Sequence, residues 1–455
     1  MDERVRARRR VFTAHPARTV VLAFALVILL GTALLSLPVA SEDGRTTGFV
    51  TSLFTSTSAV CVTGLTVVDT GTYWSGFGEG VILALLQIGG FGIMTMASLL
   101  ALLVSGRLRM RMQLTTQAEA KGLGMAEVRR VLLGVAGTTL AVELTAATIL
   151  ALRLTFGYDE SPGRAAYLGT FHAVSAFTNG SFGLHADSLT RYATDPWVTL
   201  TVAFTIILGG IGFPVILELL RHRRRRAQGR PNWSLNTKLT LVATAVLLFG
   251  GTLLICLLEW TNSGTLGAFS TPQKVLNGFF VSAASRTAGF NTFDVGSLHP
   301  ATLLLISILM FIGGGSAGTA GGIKVTTFAV LAAAMSAEVR GENHAVIMRR
   351  RLTPDLVRQA LTVALLSVGV VVASVLALLT VTEERMEAVL FEAVSAFSTT
   401  GMSTGITPDL PESARLILIL LMFVGRLGPI TLVSALALRE RTRRYQLPEE
   451  RPVIG

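Results

Sequence analysis

FTSTSAVCVTGL, residues 54–65, is a short apolar segment that ends in a threonine–glycine turn. Its pattern is a phenylalanine, a serine or alanine four residues later, and a small residue six residues after that. The same pattern recurs in FHAVSAFTNGSF (171–182), FFVSAASRTAGF (279–290) and FEAVSAFSTTGM (391–402). The small residues are spaced 117, 108 and 112 residues apart, which predicts four tandem units of similar length. They are Gly64, Ser181, Gly289 and Gly401.

The composition indicates a membrane protein. Of the 455 residues, 51% are hydrophobic and 15% are charged, whereas a soluble globular protein carries roughly 25% charged residues. Several apolar stretches reach the ~20 residues that a helix needs to cross a bilayer, among them 198–220, 239–258 and 363–381. The first apolar stretch runs on to about Pro38 without an obvious cleavage site, so we interpret it as a retained helix rather than a signal peptide.

The basic residues are confined to particular segments between the apolar stretches. The formal net charge is +11, and arginine concentrates at residues 4–10, 107–111, 221–230, 340–351 and 439–444. The other connecting segments carry acids such as Glu42, Asp159 and Glu383. This alternation follows the positive-inside pattern, which predicts a multi-pass membrane protein with both termini in the cytoplasm. It also argues against a nucleic-acid partner.

Each unit has a second shared feature, a glycine in the apolar stretch that follows the turn. Gly89, Gly209, Gly313 and Gly425 follow the small residues by 25, 28, 24 and 24 positions. Glycine in a membrane helix commonly permits close helix packing, and this plain interpretation stays open for each of them.

The repeated segments are too short to cross a bilayer, so we expect each to enter the membrane and return to the same side. Irregular backbone at membrane depth survives only when it is buried in protein or lines a water-filled cavity. Four such turns around one axis would form a ring of carbonyls that replaces the water shell of a monovalent cation. We predict an all-α integral membrane fold of four tandem helix–pore-helix–helix repeats, with eight spanning helices and four re-entrant pore loops around a pseudo-fourfold central pore. The predicted repeats are residues 1–105, 106–235, 236–350 and 351–455.

The turns TGL, AGF and TGM resemble the pore loops of the Trk/Ktr/HKT cation transporters, and the resemblance extends from about Ala17 to Arg444. Because no extra helix pair precedes the first repeat, the chain is most similar to the bacterial KtrB type of that superfamily. The resemblance implies potassium uptake across the bacterial inner (plasma) membrane by a homodimer in lipid, controlled by a cytoplasmic KtrA-type ring of RCK domains. No nucleotide-binding motif is visible in the chain, so we expect it to bind no cofactor, with sodium as a candidate activator and nucleotide acting only through the partner subunit.

The resemblance assigns the selectivity filter to four residues of each turn. They are Val62, Thr63, Gly64 and Leu65; Asn179, Gly180, Ser181 and Phe182; Thr287, Ala288, Gly289 and Phe290; and Thr399, Thr400, Gly401 and Met402. The potassium ligands are expected to be the backbone carbonyls of Thr63, Gly180, Ala288 and Thr400. Glycine suits such a turn because it adopts a positive φ at little cost, which lets successive carbonyls face the same way.

A second family feature is GGGSAGTAGGIK, residues 313–324, which interrupts the third repeat's inner helix. Glycine costs about 1 kcal/mol relative to alanine in a helix interior, so this run is predicted to be unwound and mobile. The resemblance implies an intramembrane gating loop below the filter; the alternative is a tight helix crossing. Lys324 either anchors the loop or extends to the cytoplasmic interface. The predicted gate residues are Gly313, Gly314, Gly315, Ser316, Ala317, Gly318, Thr319, Ala320, Gly321, Gly322, Lys324 and Arg426.

Arg426 lies in the middle of an apolar stretch, where a charge costs roughly 2.5–3.5 kcal/mol and normally faces a cavity or the interior of the helix bundle. It replaces the second glycine of the paired glycines in the first two repeats. Our hypothesis is that it forms an electrostatic barrier to cations and holds the closed loop. The alternative is a structural arginine held by backbone carbonyls.

The second turn departs from the family pattern, which usually has asparagine–alanine–glycine–phenylalanine there. In this chain Ser181 occupies the position of the filter glycine, with Gly180 just before it. Either Gly180 supplies the backbone freedom or the ring is distorted on one side. We favour potassium selectivity, with a poorly selective or sodium-permeable HKT-like transporter as the alternative.

Other classes fit the sequence less well. No HExxH, CxxC or Walker motif occurs and the six histidines are scattered, so we expect no enzyme. A secondary transporter of another fold would show two inverted halves rather than four repeats. Cys61 and Cys256 are expected to pack as small apolar residues. The acids that follow the turns suggest either an outer vestibule that concentrates cations or simply solvated loops; they are Asp69, Asp187, Asp294 and Asp409.

Overall fold

The computed structural model of the chain describes residues 16–113, 125–227 and 233–428. Within these ranges the helices are α1 (Pro16–Leu35), α2 (Phe49–Val60), α3 (Thr70–Tyr73), α4 (Gly76–Gln113), α5 (Met125–Tyr158), α6 (Pro162–Thr178), α7 (Pro196–Ile211), α8 (Phe213–Ala227), α9 (Leu235–Glu259), α10 (Thr271–Ala284), α11 (Pro300–Phe311), α12 (Val325–Val339), α13 (Pro354–Val381), α14 (Met386–Ser398) and α15 (Glu412–Leu427). Two short strands, β1 (Val346–Ile347) and β2 (Arg350–Arg351), pair antiparallel between α12 and α13.

The four repeated sequence motifs form the short helices α2, α6, α10 and α14. They contain 12, 17, 14 and 13 residues, which is less than a membrane span requires. Local sequence helps to fix where they begin. Ser270 and Gln273 form a reciprocal capping box at the start of α10, and proline lies in the first turn of both α6 and α10.

Long apolar helices precede three of these short helices. By length and composition, residues Val131–Tyr158 of α5 and the whole of α9 and α13 can cross a membrane. The pair α7 and α8 qualifies as one span broken by a 98° bend, located where Gly212 adopts a φ of 91°. Shorter apolar helices include Thr19–Leu35, Gly76–Gly92 and Pro300–Phe311. The predicted all-helical membrane fold is thus confirmed, while the number of spanning helices stays a prediction.

Neighbouring repeats pack against one another in a closed cycle. The helix that follows each short helix packs on the short helix of the next repeat: α4 on α6, α7 on α10, and α11 on α14. The last, α15, packs back on the first, α2. Each short helix also packs on the helix that precedes it in the chain. Because the fourth contact returns to the first repeat, the four short helices surround one common axis.

Some predicted features lie at the limits of the described residues. The basic segments 4–10 and 439–444 lie outside the described residues. In the segment 221–230, the side chains of most residues are likewise not described. The boundary predicted at residue 105 falls inside α4, which continues to Gln113.

Candidate ion-conduction site

The loop after each short helix places two left-handed residues at the same positions. The first is two residues before the small residue: Val62, Asn179, Thr287 and Thr399 have φ values of 55°, 61°, 76° and 51°. The second is the small residue itself: Gly64, Ser181, Gly289 and Gly401 have φ values of 88°, 59°, 63° and 88°. L-residues other than glycine rarely adopt this region, so its recurrence in four loops marks one shared backbone conformation.

The four loops meet at the axis in a regular order. A Cβ built on Gly64 would overlap the carbonyl oxygen of Gly180 in the second loop. In the same way, Gly289 abuts the carbonyl oxygen of Thr400, and Gly401 abuts that of Thr63. Each glycine therefore faces the carbonyl of the next loop, and that carbonyl belongs to the residue just before the next loop's small residue. Only a residue without a side chain fits such an approach of two backbones.

The residue after each small residue turns away from the axis into the protein core. Leu65, Phe182, Phe290 and Met402 are all at most 1% exposed. Their burial anchors the loops from behind, so the predicted filter segments present backbone rather than apolar side chains to the axis.

Hydroxyls on the short helices hold two of the loops in place. The Ser58 hydroxyl accepts a hydrogen bond from the Gly64 amide at 2.9 Å and donates to the Leu65 carbonyl at 2.8 Å. The Gly401 amide donates to the Ser395 hydroxyl at 3.1 Å. In the second repeat the corresponding Ser175 hydroxyl has no partner among the described residues, and the third repeat has Ala283 there. This serine was part of the sequence motif, but its bond to the turn became visible only in the structure.

The glycine-rich segment 313–324 is an irregular loop between α11 and α12, with a closed base. The Gly313 amide donates to the Ile323 carbonyl at 2.9 Å, and the Val325 amide donates to the Gly314 carbonyl at 3.0 Å. The chain is thus unwound, as predicted, but its two ends are fastened together.

The loop docks on the bend between α7 and α8 in the second repeat. The Gly315 amide donates to the Gly210 carbonyl at 2.8 Å, the Thr319 amide donates to the Gly209 carbonyl at 3.2 Å, and the Phe213 amide donates to the Ala317 carbonyl at 3.3 Å. The Thr319 hydroxyl also reaches the Phe177 carbonyl at the end of α6, at 3.3 Å. Gly321, further along, lies against Ser398 and Thr399 of the fourth repeat. The loop therefore contacts the ends of the short helices α6 and α14 in the second and fourth repeats.

Two cations donate hydrogen bonds to carbonyls of the loop. Arg426 is 6% exposed, and its guanidinium donates to the Thr319 carbonyl and, at 3.4 Å, to the Gly89 carbonyl of α4. Lys324 donates to the Ala320 carbonyl within the loop. This contact lies within the loop itself, and the role of Lys324 stays a prediction. Arg426 is held by backbone carbonyls, as the structural interpretation required, and through one of them it also contacts the loop.

Comparisons with known proteins identify the family of this chain. The profile of the TrkH cation transport protein family matches residues 5–442. Ktr system potassium uptake protein B of Bacillus subtilis is 38% identical over 94% of this chain and 95% of its own length.

The chain belongs to the TrkH family.

Two further similarities extend over most of the TrkH-family chain. Potassium/sodium uptake protein NtpJ of Enterococcus hirae is 33% identical over 100% of this chain and 99% of its own length. The crystal structure of the potassium transporter TrkH from Vibrio parahaemolyticus superposes with a TM-score of 0.72, covering 91% of this chain and 85% of that one. At 19% identity, that likeness supports the fold alone.

Ser181 gives this TrkH-family chain an unusual centre. A Cβ built on Gly64, Gly289 or Gly401 would in each case meet the Ser181 side chain. The Ser181 side chain thus lies among the three filter glycines, at the middle of the ring. Gly180 is not among the described residues with a positive φ, whereas Ser181 itself has a φ of 59°. The first explanation considered from the sequence was that Gly180 supplies the backbone freedom. The left-handed residue is instead Ser181, so that explanation does not hold.

Three of the four downstream glycines share one packing role. A Cβ on Gly89, Gly209 or Gly425 would overlap the carbonyl of Val60, Phe177 or Phe397, respectively. Each of these carbonyls lies four residues before the small residue of its repeat. The glycines thus let each following helix lie against the C-terminal end of its short helix, which is the plain packing interpretation. Gly313 differs because the chain unwinds there.

The acids after the turns mainly stabilise local loop structure. Asp69 accepts hydrogen bonds from the Thr72 amide and hydroxyl at 2.8 and 2.7 Å. Asp294 accepts from the Gly296 amide at 3.0 Å and the Ser297 hydroxyl at 2.7 Å, and Asp187 pairs with Arg191 at 3.5 Å. These contacts give three of the four acids a local structural role, and the choice between solvated loops and a cation-concentrating vestibule stays open. Both cysteines are buried and free, as expected.

Glu392 has a positioning role in the fourth repeat. It lies on α14 at 1% exposed and accepts hydrogen bonds from the Ser403 hydroxyl at 2.5 Å, the Thr404 amide at 3.0 Å and the Thr407 hydroxyl at 2.9 Å. It thereby fastens the segment that follows the fourth turn to its own short helix.

Proposed function

We propose that this chain is a potassium uptake subunit in which dehydrated potassium passes through the ring formed by the four turns. The observation that supports this most directly is the set of contacts between loops at the axis. In three of four cases a filter glycine abuts the next loop's carbonyl, and these carbonyls belong to Thr63, Gly180 and Thr400. They are three of the four residues expected to ligate potassium.

The left-handed residues supply the physical basis of this proposal. Two of them, separated by one residue, recur in every turn. This alternation turns successive carbonyls toward one side of the chain, which is the arrangement that replaces a cation's hydration shell. The relatives named as potassium uptake proteins support potassium as the transported ion.

The glycine-rich loop is proposed to be the gate. It contacts the second and fourth repeats, and Arg426 and Lys324 donate hydrogen bonds to its carbonyls. A guanidinium beside the pathway would repel cations while it holds the loop across it. Displacing Arg426 would remove both effects.

Regulation is proposed to come from other subunits. The name of the relatives, Ktr system protein B, supports a multi-component system. In this proposal the chain forms a homodimer on a KtrA-type ring, and nucleotide acts only through that ring.

The weakly selective HKT-like alternative is favoured by one observation, the Ser181 side chain at the centre of the ring. A hydroxyl there narrows the ring and adds a side-chain oxygen on one side only. Replacing it with glycine would restore four like turns. We therefore expect Ser181→Gly to raise the preference for potassium over sodium by about tenfold, which corresponds to roughly 1.4 kcal/mol.

The test is growth of a potassium-uptake-deficient bacterium at low potassium with a suitable regulatory subunit, followed by ion competition in proteoliposomes. Rescue by the wild-type chain is expected, and failure to rescue would contradict the potassium proposal. Equal sodium competition in the wild type and Ser181→Gly would show that the central hydroxyl does not limit selectivity. Ser175→Gly is the matched control, since Ser175 lies behind the same turn rather than at the axis.

A further inference from the structure

Glu143 is a buried carboxyl group that the proposed transport pathway does not use. It lies near the middle of the α5 span, is 5% exposed, and faces α4 of the first repeat. Its one described hydrogen-bond donor is the Gln87 side-chain amide, whose Nε2 donates to Glu143 Oε2 at 3.0 Å. An ionisable group within a membrane span is costly and usually indicates a function.

Two oxygens of this pair have no partner among the described residues. They are Glu143 Oε1 and Gln87 Oε1, and both are buried. Both are acceptors if the carboxyl is ionised, so nothing offered by the described side chains satisfies either of them. A buried, unsatisfied acceptor costs about 1–3 kcal/mol, and more when it is charged.

Another buried carboxyl group in the same protein is surrounded by many more hydrogen-bond donors. Glu259 is fully buried and accepts four hydrogen bonds: from Asn262 at 2.7 Å, Thr265 at 2.6 Å, the His299 amide at 3.0 Å, and the Thr302 hydroxyl. Four donors are what an ionised carboxylate requires when it leaves water. Glu143 receives only one donor. This number suits a neutral carboxylic acid, because one of its oxygens carries a proton and donates instead of accepting.

No described cation compensates Glu143, and the titratable groups that the structure describes on the helices packed against α5 have other partners. Glu79 of α4 bonds to Tyr167 of α6, and His172 of α6 bonds to the Leu168 carbonyl. Asp195, at the start of α7, pairs with Arg153 of α5 itself at 2.7 Å. Among the described residues, Glu143 takes part in no ion pair.

We propose that Glu143 is a proton-binding site between the first and second repeats. The proton comes from water and binds Oε1, which then donates to Gln87 Oε1. Together with the Gln87 N–H bond to Oε2, this closes a ring of two hydrogen bonds between an acid and an amide. One proton thus satisfies both orphaned oxygens and removes the charge from the membrane interior.

The position of the pair gives the proton a route to influence the pathway. Gln87 lies two residues before Gly89, which packs on the Val60 carbonyl beneath the first turn and accepts a hydrogen bond from Arg426. Loss of the proton would leave an unpaired carboxylate between α4 and α5 and would separate them beside this contact.

Infrared spectroscopy of the full chain in lipid tests the proposal. A difference spectrum between the wild type and Glu143→Gln at neutral pH is expected to show the loss of one C=O stretching band of a neutral carboxylic acid. Glu259→Gln is the matched control and should remove carboxylate bands instead. Loss of carboxylate bands in Glu143→Gln would overturn the proposal, including the case in which a bound metal cation rather than a proton neutralises the site.

A second variant keeps the test independent of the behaviour of Glu143→Gln. Gln87→Met removes both the donor and the acceptor that Gln87 contributes to the ring but leaves Glu143 in place. The acid band should then persist and move to higher frequency, because the acid loses its hydrogen bonds. An unchanged frequency would contradict the paired acid. Alkaline pH should also lower the melting temperature of the wild type more than that of Glu143→Gln, since the amide keeps the ring at every pH.

Discussion

At the scale of single residues, the filter depends on positions where both the backbone conformation and the close approach of a neighbouring carbonyl require glycine. Gly401 has a φ of 88°, and a Cβ on it would overlap the Thr63 carbonyl. Val62, Asn179, Thr287 and Thr399 adopt left-handed conformations without being glycine. Such conformations cost of order 1–3 kcal/mol and persist only where the surrounding structure enforces them.

Gly401→Ala is expected to reduce potassium uptake at least about tenfold, because the methyl group displaces a ring carbonyl and a tenfold effect needs only about 1.4 kcal/mol. Gly405→Ala is the matched control. Gly405 also has a positive φ, 97°, but a Cβ there would meet nothing within 4 Å. Uptake in liposomes measures both variants. Equal loss of uptake in the two variants would assign the effect to backbone strain rather than to displacement of the ring carbonyl.

His185 provides a prediction on pH at the same scale. Burial, assisted by the neighbouring His172 ring and Arg191, lowers the pKa of His185 from 6.5 to about 4. The unfolded chain therefore takes up a proton at a higher pH than the folded chain, so stability is lost as the pH falls from about 6.5 to about 4. Over this pH window the melting temperature of His185→Gln should fall less than that of the wild type. A parallel decline in both proteins, measured by thermal melting in detergent, would contradict this.

At the scale of elements, the decisive feature is a loop fastened at several points rather than a freely unwound helix. Its base is closed by backbone bonds, its middle docks on the α7–α8 bend, and Arg426 holds it from α15. Glycine content alone predicted the unwinding. The hydrogen-bond partners come from two other repeats, so no property of the segment itself could have identified them.

Arg426→Ala is expected to raise potassium flux through the closed state about tenfold or more, because it removes charge-assisted bonds worth roughly 1.5–3 kcal/mol each. Arg415→Ala is the control, since Arg415 bonds to the Pro408 carbonyl of an outer segment instead. Flux in proteoliposomes without a regulatory subunit provides the measurement. An Arg426 variant with wild-type flux would exclude it from the gate.

At the scale of the whole molecule, the repeats interlock in sequence and close on themselves. Each inner helix packs on the next repeat's short helix, and α15 completes the cycle on α2. The ring of turns therefore exists only when all four repeats are present. Neither half of the chain contains a complete set of contacts around the axis.

Residues 1–235 and 236–455 expressed separately are expected to give no potassium uptake, whereas co-expression should restore it in part. The cut lies at the start of α9, after the second repeat, where the two halves share contacts but no helix is divided in its middle. Rescue of a potassium-uptake-deficient strain measures the outcome. Uptake by one half alone would show that the pathway does not need all four repeats of one chain.

The sequence alone determined the membrane-helical fold, and it predicted four repeats and the positions of their turns. These are local properties: apolar length, a short helix motif, and a small residue at the second left-handed position of each turn. The tertiary structure decided which carbonyl each glycine faces, that Ser181 lies at the centre of the ring, that Arg426 joins Thr319 to Gly89, and that Glu143 pairs with Gln87. These features depend on contacts between residues far apart in the chain, and only the packing of four repeats around one axis brings those residues together.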